Sequence, residues 1–93
     1  VCSSDLFRIG LVSRLVAPEE LYAQAQTLAE RIAGHAPIAV MFAKEAMRKA
    51  GDLNLSAGMK LEADLLTLLT STEDRKEAGL AFREKRKPVF KGR

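Results

Sequence analysis

The residues of this chain best suited to chemistry sit near its end, in "TEDRKEAGLAFREKRKPVFKGR", Thr72 to Arg93. Glu73, Asp74 and Glu77 fall close together there, a spacing at which carboxyls could share acid–base work. Beside Arg75 and Lys76, the same acids are explained more simply by the positive end of a helix and by solvent. Glu62 and Asp64 are two apart, so on a helix they face different directions and form no carboxylate pair. His35 stands between Gly34 and Pro37 without a second histidine or a nearby cysteine, and reads as a turn residue rather than a base or ligand. The sequence contains no glycine-rich phosphate loop, Gly-x-Ser-x-Gly elbow or metal-ligand spacing. No residue is therefore assigned to catalysis or to a metal.

The terminal bases are more informative once placed on a helix. At about 100° per residue, Lys85 projects among Ala78, Ala81 and Phe82, whereas Arg83 and Lys87 point away. Taken alone, a lysine there most simply lays its stem over Phe82. The sharper alternative is an ammonium held beside a groove to meet a phosphate. A nucleic-acid arm would place several bases on one face with aromatics among them; here Glu84 interrupts the bases and their directions diverge, so no nucleic-acid partner is expected.

Those side chains need elements to hold them. Leu11–Val16 reads as a brief strand or coil link, with Gly10 placed just past a helix end. From Pro18, apolar residues at Leu21, Ala25, Leu28 and Ile32 predict an amphipathic helix that stops at Gly34 and Pro37. A second runs from about Pro37 to Ala50 with Val40, Ala43, Met47 and Ala50 on one stripe, and Gly51 ends it. A third, capped by Asp52 or Asn54, carries Gly58, Leu61, Leu65, Leu68 and Leu69 on its apolar face, with Leu66 outside that stripe. The fourth opens at "STED", where Ser71 and Asp74 have capping-box spacing and Thr72 is a rival cap. It turns Ala78, Ala81 and Phe82 to a core and ends at Pro88.

The expected fold class is thus all-α, about four helices, in a single small domain. Of the 93 residues 47% are hydrophobic, yet there is no Trp, one Tyr and four Phe, so large core side chains are few and outside support is expected. The net charge of +3 permits an anionic partner without requiring one. A lone Cys2 makes no internal disulfide, and no stretch approaches the roughly 20 apolar residues of a membrane span. A cytoplasmic location without membrane association is the expectation.

Four stretches in order, "RIGLVSRLV", "EELYAQAQTLAERIA", "PIAVMFAKEA" and "STEDRKEAGLAFREKRKPVFKGR", make residues 7–93 resemble the C-terminal end of the enoyl-CoA hydratase/isomerase (crotonase) superfamily. The resemblance implies the C-terminal helical region of a crotonase-type α/β spiral fold. Residues 1–6, "VCSSDL", do not fit the family's pattern and are expected to be a non-native leader. Residues 7–16 would be the end of the spiral-domain region and its link, and residues 17–93 the helical trimerisation and lid region. It further implies an enzyme that adds water to trans-2-enoyl-CoA thioesters, with its acid–base glutamates and oxyanion-binding amides in upstream sequence. The 93 residues alone would then be inactive.

What carries over residue by residue is substrate binding at the coenzyme A moiety. Lys85 matches the lysine of the family's "EKR" that reaches the adenosine-phosphate end of coenzyme A. Leu66 matches a position that is aromatic in some relatives, and Thr70 is a weaker contact candidate. The thioester is substrate, and no resident cofactor is implied. A homo-oligomer, trimer or dimer of trimers, is implied as well. Another reaction of the superfamily, such as enoyl-CoA isomerisation, and a non-enzymatic helical oligomerisation module remain the alternatives.

Overall fold

The computed structural model describes residues 2–93. Among them are five α-helices, one 3-10 turn and no strand: the four helices expected from Pro18 onward, and a short one before them whose end Gly10 marks. The chain divides into two units between Arg31 and Ile32, in the last turn of the helix Leu21–Ala33.

In the first unit, helix α1 spans Ser3–Arg8; Ser3 to Leu6, set apart above as part of a leader, form its opening. Its end is a Schellman closure, in which the Leu11 amide donates to Leu6 O (2.9 Å) and the Gly10 amide to Phe7 O (3.0 Å). Gly10 takes the left-handed conformation this requires, φ 78°. The link that follows is irregular rather than a strand. Pro18 opens a 3-10 turn, Pro18–Glu20, which leads into α2, Leu21–Ala33. The large residues of its apolar stripe, Leu21, Leu28 and Ile32, are all exposed.

The second unit is built on a hairpin of α3, Pro37–Lys49, and α4, Leu55–Leu69. Of the two candidate caps for α4, Asn54 is used, its Oδ1 accepting from the Ala57 amide at 2.9 Å. The α3 residues that are half-buried are Ile38, Ala39, Val40, Phe42 and Ala46, so the covered stripe lies to one side of the expected one: Ala43, Met47 and Ala50 are exposed. On α4, Leu65 is buried and Leu61 and Leu69 are half-buried, while Leu68 is exposed.

Three successive hydroxyls close α4. Thr70, Ser71 and Thr72 each donate to the carbonyl three residues back, those of Thr67, Leu68 and Leu69, at 2.6, 2.8 and 2.8 Å. Thr72 Oγ1 also accepts from the Arg75 amide at 3.2 Å and so caps α5, Glu73–Glu84. This corrects the Ser71–Asp74 capping box, because the Asp74 carboxylate is engaged elsewhere. The helix also ends before Pro88, at Glu84, because the backbone turns left-handed at Lys85, φ 55°. Ala81 is buried at 1% exposure, but Phe82 is 86% exposed and joins no core among the described residues.

Candidate functional site

Lys85 is not on the helical face that the wheel assigned to it; it is the residue at which α5 stops. A second Schellman closure forms there, with the Arg86 amide on Ala81 O at 3.0 Å and the Lys85 amide on Phe82 O at 3.3 Å. In α1 this position is glycine, whereas here a lysine takes it at a cost of roughly 1 kcal/mol. The open Phe82 ring also removes the simpler account of Lys85, since a stem laid over that ring would cover it. Lys85 is itself exposed.

The chain after Lys85 does not trail away. Arg86 donates from Nη2 to Glu77 Oε2 at 3.0 Å and from Nε to Glu84 Oε2 at 2.6 Å, gathering two carboxylates on one guanidinium. Glu77 Oε1 takes a further bond from Arg86 Nη1 and one from the Val89 amide at 2.9 Å. Hydrogen bonding from Arg86, then from Val89, holds the Glu77 carboxyl well below its ordinary range, down from 4.5 to about 2, and the hydrogen bonds to Glu77 and then Glu84 raise the Arg86 guanidinium.

Asp74, 2% exposed, accepts from the Lys91 amide on Oδ1 (2.7 Å) and the Gly92 amide on Oδ2 (2.8 Å). Its own amide donates to Arg93 O at 3.0 Å, and Arg93 Nε reaches Glu73 at 3.0 Å. The expectation that these acids serve only the helix dipole and solvent is therefore corrected. Asp74 and Glu77 bind the returning tail as a strap along α5. These are the residues that sequence reasoning missed. Their partners lie at separations such as 9 and 18, which no helical or strand period marks.

Elsewhere, Leu66 is 64% exposed on α4 and lines an apolar groove of about 490 Å³ between α3 and α4, with Phe42, Met47, Leu55 and Met59 among its walls. Thr70 caps α4, its hydroxyl committed to Thr67 O. Neither Lys85 nor Thr70 lines that groove, so the three candidate residues do not form one continuous surface around it. Glu62 lines it while Asp64 is paired with Lys60 at 2.9 Å, so these two acids indeed diverge. His35 sits in the bend between α2 and α3, as a turn residue should.

The profile of the enoyl-CoA hydratase/isomerase family matches residues 1–93. The chain belongs to the enoyl-CoA hydratase/isomerase family. It is 46% identical over 91 residues to a probable enoyl-CoA hydratase of Rhizobium meliloti, covering 98% of this chain and 35% of that protein. To the 2,3-dehydroadipyl-CoA hydratase of Escherichia coli it is 44% identical over 84 residues, 90% of this chain and 33% of the relative. The crystal structure of an enoyl-CoA hydratase from Bacillus anthracis superposes with a TM-score of 0.93 at 36% identity, covering 98% of this chain and 35% of that one. The chain thus spans about a third of the length of these relatives. Family membership argues against an unrelated oligomerisation module, and the helices are a portion of the crotonase fold. Among the described residues no helix is long and apolar enough to cross a membrane.

Proposed function

We propose that this chain is the C-terminal part of an enoyl-CoA hydratase, which adds water across the trans-2,3 double bond of an acyl-CoA thioester. The hydratase relatives support the reaction. In that reaction hydroxide character is delivered to C3 and a proton to C2, while the thioester oxygen carries the developing negative charge. None of these tasks is assigned to a residue of this chain, and the 93 residues alone are expected to be inactive. Their part is to cover the ligand and to join subunits, as a trimer or a dimer of trimers in the full-length protein. The exposed apolar faces of α2, α3 and α4 are consistent with such contacts.

The observation that carries the ligand assignment is Lys85, a non-glycine residue kept in a left-handed conformation with its ammonium in the open. That geometry supports a contact with the adenosine-phosphate end of coenzyme A. Leu66 would offer an aliphatic wall to the adenine end, and Thr70 a weaker contact.

In the full-length protein, Lys85→Met should remove a charge-assisted contact worth roughly 1.5–3 kcal/mol, raising KM for crotonyl-CoA about tenfold or more with kcat little changed. Lys85→Gly should raise KM equally while increasing thermal stability by about 1 kcal/mol, since glycine relieves the left-handed strain. Steady-state hydration kinetics and thermal melts read both effects. An unchanged KM would remove Lys85 from the ligand site.

A further inference from the structure

A lysine in the left-handed region returns to an ordinary helical or extended conformation unless its neighbours forbid it. In this chain the constraint is visible. Were α5 to continue through Lys85, Glu77 and Arg86 would stand about 13.5 Å apart along the axis and on opposite faces, nine steps of about 100° apart. The forked contact of Arg86 with Glu77 therefore exists only because the helix breaks between them. Asp74 makes the break firmer, drawing the amides of Lys91 and Gly92 back to the first turn of the same helix. The direction in which Lys85 leaves the end of α5 is thus set by carboxylates eight and eleven residues earlier.

We propose that Asp74 and Glu77 are positioning residues for the Lys85 ammonium. By tying the chain just after Lys85 back onto α5, they aim that ammonium at the phosphate-bearing end of a nucleotide ligand. This rests on the assignment of Lys85 to coenzyme A made above. Neither carboxylate touches the ligand: Asp74 is buried against the strap, and both Glu77 oxygens are occupied by Arg86, with Oε1 also accepting from Val89.

The test compares Glu77→Gln, Asp74→Asn, Lys85→Met and the Lys85→Met/Glu77→Gln double variant of the full-length protein. The substrates are crotonyl-CoA and crotonyl-pantetheine, a thioester without the nucleotide phosphates. Positioning requires that Glu77→Gln and Asp74→Asn raise KM for crotonyl-CoA several-fold at unchanged kcat. Both must leave crotonyl-pantetheine turnover unaltered, and the double variant must be no worse than Lys85→Met. Equal losses on both thioesters, or effects that multiply in the double variant, would show a purely structural strap and overturn the inference.

If Lys85→Met raises KM and Glu77→Gln does not, the positioning inference alone fails. If Lys85→Met has no effect, the ligand assignment fails first and the inference goes with it. Should both carboxylate variants fail to fold, Arg86→Lys provides the same comparison, keeping the charge while losing the two-pronged contact.

Discussion

Glu77 shows how one carboxylate can govern a segment nine or more residues away. Because its pKa falls on folding, from 4.5 to about 2, the folded strap favours the ionised form. The stabilisation is fully present above about pH 4.5 and is lost as the pH falls through about 2. Carbon-detected NMR titration of the Glu77 carboxyl should accordingly give a midpoint near 2, and the Val89 amide resonance should shift with it. In Glu77→Gln the Val89 resonance should stay level across that window. A Glu77 midpoint near 4.5 would mean that the strap stands open in solution.

Among the helices, the terminal side chains do much of the specification. Asn54 gives α4 its start, and Asn54→Ala should cost about 1 kcal/mol of stability with the hairpin otherwise retained, measured by urea denaturation of the full-length protein. A loss indistinguishable from zero would show that the α3–α4 turn places that first turn without help. Most of this level was legible in the sequence. Pro18 and Pro37 mark helix starts, Gly10 and Gly51 mark stops, and the 3.6-residue period separates the elements. Two features escaped it for a physical reason. Lys85 is a poor candidate for a left-handed cap on propensity, so the helical period gives no sign that α5 stops there. Phe82 looked like core because periodicity shows which residues share a face, not whether anything packs on that face. The tail was the least legible part, since its bonds join a buried carboxylate to backbone amides and leave no pattern of side-chain types.

Taken as a whole, the described chain buries few side chains. Leu65 and Ala81 are its buried apolar residues, while Leu55, Leu66, Met41 and Tyr22 remain open. A helix gains most of its stability from covering its apolar face, and the open faces of these helices leave that stabilisation largely unsupplied by the described residues. The groove between α3 and α4 carries its own reporters of whether such a surface is in place. Met47 and Met59 line it with 70% and 62% of their surface open. In the 93-residue chain alone, dilute hydrogen peroxide should convert both thioethers to sulfoxides at the rate of free methionine. If a full-length oligomer covers this wall, as proposed above, both should react far more slowly in it, as followed by the gain of oxygen mass in peptides. Two sulfur atoms thus turn the unpaired wall of a hairpin into a chemical clock for its own enclosure.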